Sequence, residues 1–198
     1  MLVKILYRLF TDADNGVVLR PTGLEFFQTL FVGKRMASNW DPPAIEIVNK
    51  SKPVRDFVSW MLPAPVFSGR AVAVLSPLIE QCVEVLPLIE VKGKELYAIN
   101  VVNMIDCLNV AKSQIHFSSS TPGRIVNVIR FVFDSGKLPA DPVIFKVPED
   151  PRCVFVSQTF VDVVIANQLT GSLLVKPEAN PFAVILSESP DVFKPVRT

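Results

Sequence analysis

The stretch from residue 69 to residue 110 constrains the fold most, because its apolar pattern changes there from helical to alternating. Apolar side chains with the i, i+3, i+4 spacing of a buried helix face come first, namely Val72, Leu75, Leu78, Ile79 and Cys82. Pro77 interrupts this pattern, since a proline removes one helical hydrogen bond and clashes with the preceding turn. Ser76 can cap a second short helix, so we expect a kink or a restart at this point.

A β-hairpin is predicted directly after this helix. Residues 83–91 alternate with bulky apolar groups on both faces, which predicts a strand covered on both sides for part of its length. Pro87 lacks a backbone N–H, so we expect it at a sheet edge or at a bulge. A turn at Lys92-Gly93 leads into a returning strand over residues 95–103.

The remaining chain adds further strands and a second helix. Strands are predicted at residues 2–10, 44–48, 54–60, 125–133, 143–147 and 173–175. The second helix starts at Ser157 as N-cap, with Val156 and Val161 placed for a hydrophobic staple. We expect Gly171 to end it in a left-handed conformation. The fold class is therefore α+β, with mostly antiparallel sheets and a few short helices packed against them.

Three segments leave alternatives open or carry weaker signals. Asn15-Gly16 lies in a turn and is a strong hairpin signal after the first strand. Residues 23–33 fit either a strand or a short buried helix. Near the C-terminus, the apolar run at 182–186 predicts a docked strand followed by a loose end.

Length and composition favour one domain with a well-filled core. The chain has 198 residues, which we interpret as a single domain 1–198; a division into a strand-rich lobe 1–65 and a main α+β lobe 66–198 stays open. Hydrophobic residues make up 49% of the chain, and mean hydropathy is +0.38. The apolar excess leaves room for a surface patch that meets a partner. A net charge of +1 without a basic stripe predicts no nucleic-acid partner.

The sequence favours a cytoplasmic protein. The first ten residues carry Arg8 inside their apolar run and lack a small-residue cleavage site, so they fail as a signal peptide. No apolar run reaches the roughly 18 residues of a membrane span, so we expect no membrane association. The three cysteines, Cys82, Cys107 and Cys153, are widely spaced, which favours buried reduced thiols.

A search for catalytic residues yields one weak candidate. His116 is the only histidine, which excludes sites that need two. Cys107 with His116 would suit a small Cys-dependent hydrolase, but a structural cysteine and a surface histidine are favoured. Motifs for serine nucleophiles, phosphate loops and zinc pairs are absent, so we predict no cofactor, no metal and no catalytic residue. Asp162, on a buried helix, is expected to make a local hydrogen bond or to face solvent.

Several segments together resemble a known bacterial family. They read ILYRLF at the N-terminus, Asn39-Trp40, DFVSWMLPAPVFSG, EVLPLIEVKGKELYAINVVNMIDCLNVAKSQI, and the run from Ile129 to Val175. Their order and spacing are similar to immunity family eleven of polymorphic toxin systems, formerly catalogued as a domain of unknown function. The residues that carry the family pattern are Trp40, Pro87, Tyr97, Asp106, Cys107, Ser157 and Gly171. Asn109 departs from that pattern, which often has an acidic residue there.

The resemblance implies a cytoplasmic immunity protein without enzymatic activity. Such a protein binds the C-terminal domain of its cognate protein toxin and neutralises it in a non-covalent complex. The family-pattern residues are expected to be structural; Asp106 and Cys107 end a predicted strand, and Gly171 ends a predicted helix. The sequence does not locate the toxin-binding surface. A homo-oligomeric structural module remains an alternative beside the Cys-dependent hydrolase.

Overall fold

The computed structural model describes residues 5–22 and 31–177 of the chain. Its strands are β1 (Leu6–Thr11), β2 (Val18–Thr22), β3 (Ala44–Val48), β4 (Phe57–Trp60), β5 (Val66–Ser68), β6 (Val83–Val91), β7 (Lys94–Val101), β8 (Gln114–Phe117), β9 (Ile125–Arg130), β10 (Ile144–Phe145), β11 (Phe155–Ser157) and β12 (Ser172–Val175). Its helices are α1 (Gly69–Ile79) and α2 (Gln158–Ala166), and a 3-10 turn spans Ala37–Asn39.

The strands of this described part form three sheets. One has six strands in the order β3-β2-β4-β5-β7-β6, one has four in the order β10-β11-β1-β12, and β8 and β9 form a two-stranded ribbon. The strands β2 and β4 run parallel, and the other neighbours within these sheets run antiparallel. The predicted α+β class with mostly antiparallel sheets is confirmed.

The β6–β7 hairpin forms where the sequence predicts it. Lys92 and Gly93 have φ angles of 52° and 75°, the pair of left-handed residues that a tight two-residue hairpin turn needs. The register shifts between Pro87 and Ile89, and β6 is the edge strand of its sheet. The expectation for Pro87, an edge or a bulge, is therefore met in both respects.

Helix α1 begins as expected but does not restart. Ser68 caps it, because its side chain accepts a hydrogen bond of 3.2 Å from the backbone N–H of Ala71. Pro77 lies inside the helix, which continues to Ile79. The restart predicted at Ser76 is wrong, because a proline near the end of a helix removes a single hydrogen bond that the remaining turn does not require.

Helix α2 also begins as expected and ends differently. Ser157 holds the extended N-cap backbone conformation, although its side chain makes no capping hydrogen bond. The helix ends at Ala166, and Gln168 takes the left-handed conformation with φ of 51°. The prediction that Gly171 ends the helix is wrong: this glycine, with φ of 94°, lies beyond the turn and directly before β12.

One large apolar cluster joins the two main sheets through the helices. Phe57 of β4 packs edge-on against Phe67 of β5, with ring centroids 4.8 Å apart, and against Phe160 of α2 at 6.5 Å. Leu9 of β1 and Leu174 of β12 belong to the same cluster. A second cluster joins the β8–β9 ribbon to β10 and β11. Burial of this aromatic area is the main stabilising contribution to such a fold.

Other predictions from the sequence differ in detail. The Asn15-Gly16 turn does not close a hairpin, because β1 and β2 belong to different sheets. The strand predicted to end at residue 133 ends at Arg130, where the chain leaves its pairing with β8. Residues 23–30 and the segment 182–186 lie outside the described residues.

Candidate protein-binding surface

The loop 61–65, which connects β4 and β5, presents one exposed apolar side chain on a fixed backbone. Leu62 and Ala64 are buried, whereas Met61 is 72% exposed. The indole N–H of Trp60 donates to the carbonyl of Ala64 at 2.6 Å, and Pro63 lies between them with a restricted φ. The loop is therefore held from inside while the thioether points outward.

Lys146 fixes the same loop from the neighbouring sheet. Its side chain has no exposed surface, and Nζ donates to the carbonyls of Pro63 and Phe31, both at 2.6 Å. Burial lowers the pKa of Lys146 to about 8. A neutral amine has two N–H groups, the number of acceptors that the described residues supply, so the geometry suits the neutral form as well as the charged one.

Two clefts open on either side of this loop. The first has a volume of about 330 Å3 and is lined by Arg8 and Phe10 of β1 together with the loop and Cys153. The second has a volume of about 650 Å3 and is lined by Arg124, Val126 and Glu149 together with the loop. Trp60, Met61, Leu62, Pro63 and Arg152 line both clefts. The loop thus forms a ridge between two concave surfaces.

Arg8 lies in the first cleft with an incompletely satisfied guanidinium. Its Nε is buried and finds no hydrogen-bond partner among the described residues. The guanidinium carbon lies 4.5 Å from the ring centroid of Phe10 and 5.6 Å from that of Phe131, which is the cation–π range. Such stacking stabilises the charge of the guanidinium, which has no carboxylate within ion-pair distance among the described residues.

Asp150 and Arg152 shape the second cleft. Arg152 donates from Nε and Nη2 to the two carboxylate oxygens of Asp150, at 2.7 and 2.9 Å, and this pairing raises the pKa of Arg152. The Asp150 carboxylate also accepts the N–H of Val128 at 3.2 Å, and Arg152 donates to the carbonyl of Val126 at 2.7 Å. The pair therefore occupies the edge of β9 as a neighbouring strand would.

Three of the family-pattern residues meet at the edge of the six-stranded sheet. The indole N–H of Trp40 donates to the carbonyl of Pro87 at 2.6 Å. Pro87 lies opposite Tyr97 in the β6–β7 ladder, and the Tyr97 hydroxyl donates to Glu95 at 2.8 Å. This hydrogen bond raises the pKa of Tyr97. The side chains of Trp40 and Tyr97 and the backbone of Pro87 are thus engaged within the chain.

Asp106 and Cys107 lie elsewhere and differ sharply in exposure. Asp106 is exposed and pairs with Lys137, with 3.4 Å between Oδ2 and Nζ. Cys107 has no exposed surface, and burial raises the pKa of its thiol to about 12. Its backbone carbonyl accepts the N–H of Asp134 at 2.7 Å, so this segment is fixed through the main chain.

Ser157 and Gly171 occupy tightly packed positions. The Ser157 side chain is 4% exposed, and its Oγ has no hydrogen-bond partner among the described residues. A Cβ on Gly171 would lie 2.5 Å from the carbonyl oxygen of Phe57, so only glycine fits there. The structure does not bring these two residues together with Trp40, Pro87 and Tyr97 or with the 61–65 loop.

The proposed hydrolase pair lacks the features of a reactive site. The Cys107 thiol is buried and stays protonated at neutral pH, whereas His116 lies on the exposed side of the β8–β9 ribbon. Asp162 is exposed and accepts a hydrogen bond of 2.8 Å from Gln158, the local bond that the sequence predicted. Cys82, Cys107 and Cys153 are free thiols, as expected.

Sequence reasoning did not single out the residues around the 61–65 loop. The loop enters the sequence analysis only as part of the family resemblance, and Arg8 enters it as a charge that interrupts an apolar run. The available signal was the combination of Trp60 and Met61 with two closely spaced prolines, since a rigid loop beside large apolar side chains is a common interface element. Lys146 gave no signal, because its burial depends on two distant segments.

Neither a metal site nor a spanning helix occurs in the described ranges. Residues 5–22 and 31–177 contain no group of three or more His, Cys, Asp or Glu side chains placed to hold a metal ion. None of the helices within these ranges has both the length and the apolar character needed to cross a bilayer.

A family model matches most of the chain. The model of the Immunity protein family (Imm11) matches residues 33–176 of the 198-residue chain. This range includes the 61–65 loop, Lys146, the Asp150–Arg152 pair and all seven residues of the predicted family pattern. The chain matches no curated protein significantly.

Proposed function

Because the chain belongs to the Immunity protein family (Imm11), we propose that it binds a cognate bacterial toxin domain and neutralises it in a non-covalent complex. The family match carries this proposal. The toxin would belong to a polymorphic toxin system and carry its toxic activity in a C-terminal domain. Neutralisation would take place in the cytoplasm of the producing cell and would require no bond-making step by the immunity protein.

The geometry is compatible with inhibition by surface contact. A binding function requires a complementary surface with a few well-fixed apolar and charged side chains rather than a nucleophile. The 61–65 loop and its two clefts supply such a surface, with an exposed methionine, a tryptophan and several arginines. The buried, protonated Cys107 argues against the alternative of a Cys-dependent hydrolase.

Co-expression with the toxin domain tests this function. The C-terminal domain of the toxin encoded next to this gene would be produced in a bacterial host with and without the protein. We expect the two chains to co-purify and growth to be rescued when both are present. An unrelated toxin domain serves as the control for specificity, and sizing of the protein alone measures any self-association. Failure of both co-purification and rescue would contradict the proposal.

A further inference from the structure

The structure assigns the toxin contact to the Met61 surface, which we define as Arg8, Trp60, Met61, Arg124, Val126 and Arg152. This inference rests on the function proposed above and adds where the partner binds and what chemistry it carries. The partner is a toxin domain that presents apolar side chains flanked by carboxylates. The apolar groups contact Met61 and Val126, and the carboxylates contact Arg8 and Arg124.

The apolar part of this surface consists of two exposed side chains, Met61 and Val126, which line the same cleft. Met61, at 72%, is the most exposed large hydrophobic side chain in the described residues, and Val126 is 44% exposed in the same cleft. Other exposed apolar residues, such as Ile165 on α2, do not line either cleft. Methionine adapts its shape to a partner and is common in binding surfaces, which makes Met61 the natural centre of the contact.

The charge of the surface indicates an acidic partner. Three arginines line the two clefts, and the carboxylates of Glu149 and Asp150 line the second one, so the positive charges are in excess by one. Among the described residues, Arg152 is the one of these arginines that has a carboxylate within ion-pair distance. Asp150 is already occupied by Arg152 and by the N–H of Val128. Arg124 is exposed and Arg8 is half-buried, and neither has an ionic partner among the described residues. Arginine is well suited to this role, because its planar N–H groups bind a carboxylate bidentately.

The backbone under this surface is fixed before any partner arrives. The bonds from Trp60 to Ala64 and from Lys146 to Pro63, both 2.6 Å long, hold the ridge. The Asp150–Arg152 pair holds the opposite wall through the edge of β9. Little ordering is left to occur on binding, and a smaller entropic cost allows a modest contact area to bind tightly.

Matched variants at exposed positions test the inference. The dissociation constant with the toxin domain encoded next to this gene would be measured for wild type, Met61→Glu and Arg124→Glu, since a carboxylate at either position would repel an acidic partner. Two variants at exposed positions outside the Met61 surface serve as controls. Ile165→Glu matches the apolar-to-acidic change of Met61→Glu, and Lys50→Glu matches the basic-to-acidic change of Arg124→Glu. Thermal unfolding followed by circular dichroism would establish that all four variants fold.

We expect Met61→Glu and Arg124→Glu each to weaken binding by about tenfold or more, and the two controls to stay within about twofold of wild type. If both test variants bind the toxin domain with the dissociation constant of wild type, this inference is overturned and the proposed function stays intact. Loss of binding in Met61→Glu alone would overturn the acidic character of the partner. Binding lost in Ile165→Glu but kept in Met61→Glu would place the contact elsewhere. No binding by wild type would instead contradict the proposed function.

Discussion

Lys146 shows how one residue can connect segments that are distant in sequence. Its ammonium group has no exposed surface and bonds to the carbonyls of Phe31 and Pro63, so it fixes the 61–65 loop from the opposite sheet. A buried lysine keeps its charge at a cost, which is why burial lowers its pKa to about 8. The same fact makes the stability of the protein depend on pH in a defined direction.

Between about pH 8 and pH 10.5, the folded Lys146 is neutral while the unfolded one is protonated. The unfolded state then binds more protons, so raising the pH favours folding, by on the order of 3 kcal/mol across the window. Below about pH 8, Lys146 is protonated in both states, so its contribution to the free energy of unfolding does not change with pH. Urea unfolding of wild type and Lys146→Met at several pH values measures this, because the variant lacks the titrating group.

The relevant quantity is the difference in the free energy of unfolding between wild type and Lys146→Met. The raised pKa values of Cys107 and Cys153, both about 12, produce the opposite trend above about pH 9 in both proteins. Subtracting the free energy of unfolding of Lys146→Met cancels that trend. A difference that does not change between pH 7 and pH 10.5 would show that the buried lysine has an ordinary pKa.

The three thiols should differ in reactivity because they differ in burial. Cys107 and Cys153 are almost fully buried and have pKa values of about 12, so they carry almost no thiolate at neutral pH. Cys82 is half-buried, and burial raises its pKa by a smaller amount. We expect a thiol reagent at pH 8 to modify Cys82 alone in the native protein and all three after unfolding in urea. Native labelling of Cys107 would revive the hydrolase alternative.

At the scale of elements, Asp56, which directly precedes β4, connects the start of α1 to the turn that follows α2. Its carboxylate is 4% exposed and accepts hydrogen bonds from the hydroxyl of Ser68, from Arg70 and from both the N–H and the hydroxyl of Thr170, all at 2.9–3.0 Å. Burial alone would raise the pKa of Asp56, but the bonds from Thr170 and Ser68 and the charge of Arg70 lower it overall. The α2–β12 turn is thereby fixed to the start of α1.

Replacing Asp56 by asparagine should destabilise the protein by about 2–4 kcal/mol. The amide N–H2 would face groups that are themselves donors, and Arg70 would lose its partner. Since the folded pKa lies below the unfolded one, the contribution of Asp56 is present above the unfolded pKa and is lost as the pH falls toward the folded pKa. Urea unfolding at pH 7 measures the loss, and exposed Asp162→Asn, expected within about 0.5 kcal/mol, is the control.

Alanine substitutions at two left-handed glycines distinguish the cost of backbone strain from the cost of steric crowding. Gly93, with φ of 75°, has no atom within 4 Å of an added Cβ, so Gly93→Ala should cost only the backbone preference, about 1–2 kcal/mol. Gly171, with φ of 94°, places an added Cβ 2.5 Å from the carbonyl of Phe57, so Gly171→Ala should cost about 2 kcal/mol more. Thermal melts of both variants measure the difference. Equal losses would mean that the turn before β12 relaxes freely.

Across the whole molecule, local patterns were readable from the sequence and long-range contacts were not. The β6–β7 hairpin and α1 follow from strand alternation, a turn pair and helical spacing of apolar residues, all of which lie within one segment. The left-handed residue directly after α2 is Gln168. Gly171 is left-handed too, but it serves the close approach to Phe57, beside the Asp56–Thr170 contact between segments 114 residues apart in sequence. Such a contact leaves no periodic signal.

The candidate surface was missed for the same reason. Met61 is exposed because Leu62, Ala64 and the indole of Trp60 turn inward, and Pro63 is held by a lysine from another sheet. The bond from Trp60 to Ala64 is local, whereas the bond from Lys146 to Pro63 depends on how the sheets meet. A binding surface is a property of the assembled fold, whereas a catalytic motif keeps its residues in fixed local spacing. Sequence patterns alone therefore do not reveal such a surface.

The aromatic cluster that joins the two main sheets predicts how the molecule unfolds. Phe57 and Phe67 lie on either side of the boundary at residue 65 that the two-lobe alternative requires, yet they pair across β4 and β5 and pack in one cluster with Phe160. Neither side of that boundary can open without exposing this cluster to water. We therefore expect a single cooperative unfolding transition in urea.

Tryptophan fluorescence and far-UV circular dichroism together measure this cooperativity. Trp40 and Trp60, the only tryptophans, both belong to the part before residue 65, whereas the dichroism signal reports both helices and all sheets. Coincident transitions would mean that the two parts unfold together. Phe160→Ala removes a ring from the shared cluster and should lower the free energy of unfolding by about 3–5 kcal/mol. The urea midpoints of both signals should fall by the same amount. A fluorescence transition that separates from the dichroism transition would instead favour two lobes, and the 61–65 loop would then lie at a boundary rather than on one cooperative unit.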